Sequence, residues 1–234
     1  MSTAAPVDWD GSTIDDVCIV VPLYNEAPVI GGVITQLRQV FSHVVCIDDG
    51  STDNSAAIAE KAGARLLHHP VNLGQGAALQ TGISYALGIP GVDYVVTFDA
   101  DGQHRIDDAL GMLRKAREEN LAIIFGSRFL DNRTKAGWAK RLVLKTAVWV
   151  TNKSTGLRLS DAHNGLRVMR TDAARGINLK QDRMAHATEI VLQLARTQLP
   201  WAEYPVEVLY TDYSKRKGQS LLNSVNILVD LLIR

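Results

Sequence analysis

Asp93-Tyr94-Val95-Val96-Thr97-Phe98-Asp99-Ala100-Asp101-Gly102-Gln103 runs from an apolar segment straight into a pair of carboxylates. The first six residues are rich in β-branched and aromatic side chains and follow Pro90-Gly91, which predicts a short interior strand over Asp93 to Phe98. In an open α/β sheet, ligands gather beyond the carboxyl ends of the strands, and Asp99 and Asp101 fall there. Two carboxylates separated by one residue, with the Gln103 amide after them, are hard oxygen donors suited to Mg2+ or Mn2+. Such an ion is held by one or two carboxylates together with substrate phosphates. A turn in which Asp and Gly serve only the backbone accounts for the same residues, so the flanking segments have to decide.

Outward from this stretch, strands and helices alternate. Strands are predicted over Val17 to Pro22, Val44 to Ile47, Ala64 to His68 and Ala122 to Phe125. Helices are predicted over Ile30 to Phe41, Ser55 to Ala62, Ala77 to Leu87 and Ile106 to Glu119. This β-α-β rhythm predicts an α/β fold, a mostly parallel sheet flanked by helices and joined by right-handed crossovers. After Arg128 the rhythm changes. A basic amphipathic helix over Gly137 to Asn152 precedes a short strand near Leu166 to Met169, a helix over Ala187 to Gln198 and a strand over Val206 to Tyr210. With no internal repeat or low-complexity linker, the 234 residues read as a single domain, 1–234. Residues 1–14 are read as a flexible N-terminus and 215–234 as a basic loop followed by an amphipathic helix.

The 25 basic and 25 acidic residues cancel, which argues against a dedicated nucleic-acid binder. Cys18 and Cys46 both fall in predicted interior strands, where free cysteine behaves as a small hydrophobe; neither a disulfide framework nor a zinc site is indicated. Met1 to Gly11 lacks the basic-then-apolar pattern of a signal peptide, and no apolar run approaches the roughly 20 residues of a spanning helix. A cytoplasmic location is therefore expected, with contact to a membrane left open.

Polar clusters recur at consecutive strand ends: Pro22-Leu23-Tyr24-Asn25-Glu26, Asp48-Asp49-Gly50-Ser51-Thr52-Asp53, Asn72-Leu73-Gly74-Gln75-Gly76 and Asp99-Ala100-Asp101. Each alone is explicable as turn or capping chemistry. Together they outline a pocket with acceptors for a base and ribose, a glycine loop and a metal. Other motif readings fail on spacing. A calcium loop starting at Asp99 requires Gly at its sixth position and Glu at its twelfth, where His104 and Leu110 stand. The Gly74-Gln75-Gly76 stretch lacks the third small residue of a dinucleotide fingerprint and follows the wrong strand.

The combination V-P-x-Y-N-E, D-D-G-S-x-D, N-x-G-x-G-x-A and D-A-D-G-Q-H resembles the nucleotide-sugar domain of inverting, family-two glycosyltransferases with the GT-A fold. It is most similar to the polyprenyl-phosphate glycosyltransferases, such as dolichyl-phosphate mannose synthases. The resemblance covers about Val17 to Ser220, including Asp161 to Arg167 and Lys215 to Ser220. Lys215 stands where those enzymes commonly carry Arg, which weakens a two-point phosphate contact there. The Q-x-x-R-W motif of processive synthases is missing, which argues for single-sugar transfer.

The resemblance implies that Pro22, Tyr24, Glu26, Asp48, Asp49, Gly76, Asp99 and Asp101 form the donor site, Asp48 as a support for Asp49. Asp99, Asp101 and Gln103 would hold Mg2+ or Mn2+. Asp101, Asp161 and Arg128 would be the catalytic set, and Arg128, Lys215, Arg216, Lys217 and Ser220 would receive the acceptor phosphate or the diphosphate. An anionic lipid-phosphate acceptor needs no strong general base, but basic residues must bring two anions together. His104 is expected to pack or bond within its loop; His163, His186 and Glu189 have weaker claims. The implied activity is metal-dependent transfer of one sugar from a UDP- or GDP-sugar to polyprenyl phosphate. Open alternatives are a non-lipid acceptor, a nucleotidyltransferase and a non-catalytic membrane adaptor. The expected site of action is peripheral, on the inner face of the cell membrane, through two amphipathic helices, one carrying Trp138 and Trp149 and the other Leu221 and Leu228. A small membrane-protein partner and a homo-oligomer both stay open.

Overall fold

The computed structural model describes residues 11–131, 148, 152–153, 155–180 and 185–209. Strand β1 (Ile14–Leu23) sets the layering. Val17, Ile19, Val21 and Leu23 belong to one buried cluster, and Cys18 and Val20 to another. Alternate side chains thus leave the strand on opposite faces, and both faces are covered, as in parallel sheets generally. The first cluster receives α1 (Ala27–Val40) and α4 (Ile106–Glu118) through Ile30, Ile34, Leu37, Met112 and Leu113. The second receives α3 (Gln75–Ala86) and α6 (Ala185–Arg196) through Leu79, Ile83, Ile190, Val191 and Leu194.

The remaining elements are β2 (Phe41–Asp48), α2 (Ser55–Lys61), β3 (Arg65–His68), β4 (Tyr94–Thr97), β5 (Ile123–Ser127), β6 (Arg167–Arg170), α5 (Thr171–Ala174) and β7 (Trp201–Pro205). They complete a seven-stranded sheet in the order β3-β2-β1-β4-β6-β5-β7. All neighbours are parallel except β6, which runs antiparallel to both β4 and β5. The expected mostly parallel α/β sheet is present. The reversal of β6 matters for the site, because it brings the start of that strand, Arg167, to the edge where β4 and β5 end. The loop before β6 therefore joins the polar clusters of the carboxyl edge.

Two expectations are corrected. The last strand spans Trp201–Pro205, ahead of the Val206 to Tyr210 segment expected from sequence. Pro205 looks like a strand breaker, but β7 is the outermost strand, where a missing N–H is tolerated. Packing fixes the register: the Trp201 ring meets Phe125 edge-on at 6.1 Å, and Tyr204 lies against Gly111 of α4. At the N-terminus, Ile14 already pairs with Phe41, so the strand begins inside the stretch read as flexible. The helix expected over Gly137 to Asn152 lies largely outside the described residues, as does the whole segment from Tyr210 to Arg234 with Lys215, Arg216, Lys217 and Ser220. No helix among the described residues is long and apolar enough to cross a membrane.

Candidate active site

The turn after β1 is held by the turn after β2. Asn25 adopts a left-handed φ of 53°, and its N–H donates to Ser51 Oγ at 3.0 Å. The Glu26 N–H donates to Ser55 Oγ at 2.7 Å, and the Ala27 N–H to Asp53 Oδ2 at 3.2 Å. The D-D-G-S-x-D run thus spends Ser51 and Asp53 on clasping the neighbouring loop. That clasp aims Tyr24, 45% exposed, and Glu26 at the crevice beside β1.

A cavity of about 330 Å³ opens at this edge. Pro22, Tyr24 and Glu26 form one wall and Asp49 the back; Gly74 and Gln75 come from the turn into α3, and Asp99 and Asp101 from the end of β4. The volume lies at the lower end of the range for small-molecule sites. Asp48 is turned away from the cavity: it accepts from the Ser51 N–H at 3.3 Å and pairs with His68 Nδ1 at 3.2 Å. Its contacts are thus within the turn and to β3. Gly76 is buried in the first turn of α3, and the cavity wall there is Gly74, Gln75 and Ala78. Gly76 itself does not line the cavity.

Asp99 sits at a crossing of elements. His104 Nε2 lies 2.9 Å from its Oδ2, and the Gln75 amide donates to its Oδ1 at 3.2 Å. The backbone of Gly165 approaches so closely that a Cβ there would overlap the Asp99 carboxylate. Thr97 fixes that approach by donating from Oγ1 to the Gly165 carbonyl at 2.6 Å. Burial pushes the Asp99 carboxyl up. The His104 hydrogen bond and the charges of His104, Arg167 and His186 outweigh this, so it stays below the usual carboxylate range. Asp101 is the opposite case. Burial and the nearby charge of Asp99 push it up to about 6, against an ordinary value of 3.8. Its hydrogen bond from the Gln103 N–H, 3.0 Å, offsets only part of this. Gln103 also accepts from the Leu209 N–H at 2.9 Å through its carbonyl.

Crowded negative charge on hard oxygen atoms at a cavity wall is the donor chemistry that a divalent cation satisfies. Among the described residues no three His, Cys, Asp or Glu side chains form a cage. A pair of carboxylates completed by substrate phosphates is how Mg2+ is usually held, so Asp99 and Asp101 fit Mg2+ or Mn2+.

Along the same edge, beyond β4, Arg128 follows β5 and forms a two-point ion pair with Asp161, whose side chain is fully buried. Burial raises the Asp161 carboxyl, but the Arg128 charge and its hydrogen bonds hold it below the usual range. Asp161 is thereby spent on Arg128, and Arg128 is the member of the pair that reaches the surface. His163 beside it is pushed down to about 4 by burial, and neither ring nitrogen has a hydrogen-bond partner among the described residues. Arg167, 2% exposed, carries a charge felt by both Asp99 and Asp161, and burial lowers it to about 10. Glu189 accepts from the Lys180 N–H, 3.1 Å to either oxygen, and so organises a loop.

Sequence reasoning missed three participants. Glu203 on β7 accepts from the Ser160 N–H at 2.8 Å and the Asp161 N–H at 3.2 Å, holding the Arg128 partner from behind. Gly165 gives Asp99 its room. His69 bonds Asp49 at 2.8 Å; the signal for it was a His-His pair ending the strand beside the one that ends in Asp-Asp.

The profile of Glycosyl transferase family 2 matches residues 18–177. An uncharacterised protein of Methanocaldococcus jannaschii is 32% identical over 225 residues, covering 94% of this chain and 92% of that one. The UDP-N-acetylglucosamine–dolichyl-phosphate N-acetylglucosaminyltransferase of Methanococcus voltae is 25% identical over 237 residues, covering 92% and 94%. Among solved structures, glucosyl-3-phosphoglycerate synthase from Mycobacterium tuberculosis shares the fold. Its complex with phosphoglyceric acid gives a TM-score of 0.68 at 18% identity over 92% of this chain and 78% of that one. Its complex with Mn2+, UDP-glucose and phosphoglyceric acid gives 0.65 at 16% identity and the same coverage.

Proposed function

Because the chain belongs to glycosyl transferase family 2, we propose that it transfers one sugar, with inversion, from a UDP- or GDP-sugar to polyprenyl phosphate with Mg2+ or Mn2+. The observation that carries this reading is that Asp49, Asp99 and Asp101 wall a single cavity at the carboxyl edge of the sheet. Asp49 offers an acceptor for a base N–H; Asp99 and Asp101 are the donors for the cation. The dolichyl-phosphate acceptor named for the Methanococcus voltae relative supports the lipid acceptor here, since the two chains align over nearly their whole lengths.

In the reaction, a phosphate oxygen of the acceptor attacks the anomeric carbon as its bond to the diphosphate breaks. The bonding pair leaves with the nucleoside diphosphate, and a single displacement inverts the centre. When bound, the cation neutralises charge growing on the leaving diphosphate. The acceptor oxygen is already anionic, so no side chain has to remove a proton. Arg128, fixed by Asp161, offers a guanidinium to whichever anion approaches its side of the edge, with Lys215, Arg216, Lys217 and Ser220 as further candidates. The enzyme works peripherally on the cytoplasmic face of the membrane, as a single domain.

Incubation with radiolabelled UDP- and GDP-sugars, a short polyprenyl phosphate and Mn2+ tests the reading. Label should pass into the organic phase only when lipid phosphate and metal are both present. Label that stays aqueous while the donor is consumed with a water-soluble acceptor would instead favour a non-lipid acceptor.

A further inference from the structure

Asp49 is gripped on three sides. The Leu73 N–H donates to its Oδ1 at 2.9 Å and the Gly74 N–H to its Oδ2 at 2.8 Å. The third contact is His69 Nδ1, 2.8 Å from Oδ1, in a pair whose side chains are only 9% and 4% exposed. The other ring nitrogen of His69, Nε2, lies 2.9 Å from Thr81 Oγ1 on α3. A carboxylate has acceptor capacity only, so Nδ1 carries the proton, Nε2 is the acceptor, and the Thr81 hydroxyl donates to it. Asp49 thereby sets the tautomer, and Thr81 holds the ring orientation from the other side. Register supplies the pairing: β2 and β3 run side by side with Asp48 opposite His68, so the next residue of each strand end, Asp49 and His69, also meet. The neighbouring His68 on Asp48 is 58% exposed and plays no comparable part.

We infer that His69 is a positioning residue for nucleobase discrimination: with Thr81 behind it, it locks Asp49 as an aimed hydrogen-bond acceptor that admits bases carrying a ring N–H. Uracil (N3–H) and guanine (N1–H) can donate to such a carboxylate; cytosine and adenine present a bare acceptor at the equivalent position and face repulsion. Two donors on Oδ1 against one on Oδ2 leave the open lone pair on Oδ2. Loss of the His69 N–H leaves the carboxylate held only by the Leu73 and Gly74 N–H groups of one loop, and the aim of its open lone pair is loosened. The inference rests on the proposed donor reading, in which Asp49 faces the base.

The experiment measures dissociation constants of UDP, CDP, GDP and ADP with Mn2+, by calorimetry, for the wild-type chain and for His69→Leu, His69→Asn and Thr81→Val. The wild-type chain is expected to prefer UDP over CDP, or GDP over ADP. His69→Leu should shrink that preference by about tenfold or more, since discrimination by a polar site depends on its groups being held in place. His69→Asn, whose amide reproduces the Nδ1–H, should recover most of it. Thr81→Val should narrow the preference severalfold, which keeps the test in force if His69→Leu does not fold. A folded His69→Leu or Thr81→Val chain that retains the wild-type preference overturns the role of His69 and leaves the donor reading standing. A wild-type chain with no preference within either pair overturns the donor reading and this inference together.

Discussion

Arg128 meets the Asp161 carboxylate at two points, Nε to Oδ2 at 2.6 Å and Nη2 to Oδ1 at 2.8 Å. The pair bridges the ends of β5 and the loop that enters β6, and Glu203 on β7 braces that loop through the Ser160 and Asp161 N–H groups. Three strands thus hold one guanidinium at the carboxyl edge.

Asp161→Asn should remove the two-point Asp161 charge from Arg128, whose side chain is only 16% exposed. Removing one partner of a largely buried pair costs about 3 kcal/mol or more, and urea denaturation at neutral pH should show it. A loss within ~0.5 kcal/mol would mean that water already compensates the guanidinium.

If Asp101 holds the proposed cation, metal binding should depend on pH. Its carboxyl titrates near 6 in the fold against an ordinary 3.8, so the fold favours the protonated form. That stabilising contribution is complete below about pH 4 and is lost as pH rises through 6. A divalent cation needs the ionised form and relieves the same repulsion. The rise in Tm produced by Mn2+ should therefore be small at pH 5 and large at pH 7.5, and should vanish in Asp101→Ala. An equal rise at both pH values would place the cation elsewhere.

Gly165→Ala should act on the site through Asp99 alone. The added methyl collides with the Asp99 carboxylate, and the Thr97 hydrogen bond prevents the loop from backing away. Overpacking of this kind costs about 1–3 kcal/mol. Turnover should fall by roughly tenfold or more as the carboxylate is displaced. A variant with wild-type turnover and metal response would show that Asp99 does not need its present position.

Gly111→Ala offers the contrasting case. A methyl there overlaps the Tyr204 ring and should cost about 1–3 kcal/mol by forcing α4 from β7, with the nucleotide dissociation constant unchanged. A large loss of nucleotide affinity at unchanged stability would contradict the placement of β7 and α4 away from the cavity.

The sequence made the parallel half of the sheet legible because β1, β2 and β4 are largely buried on both faces and read as continuous runs, such as Val17 to Val21. It also exposed Asp49, Asp99 and Asp101, since strand-end carboxylates have no packing reason to be there. The last strand was misplaced because Trp201-Ala-Glu-Tyr-Pro gains its strand character from neighbours, Phe125 and Gly111, that lie far away in sequence. His69, Gly165 and Glu203 were missed for a related reason. Their roles depend on which strand end lies beside which, and sheet order is not a local property. The reversal of β6, which brings Asp161 and Gly165 to the carboxyl edge, likewise has no local signature in Arg167 to Arg170.

Mass spectrometry of the lipid product tests the central claim most directly. After incubation with the preferred nucleotide-sugar, Mn2+ and a polyprenyl phosphate of defined length, the lipid should gain the mass of one sugar residue. Asp101→Ala should give no adduct. A lipid left unmodified under conditions where wild-type enzyme consumes the donor, or one carrying a ladder of added sugars, would contradict the account.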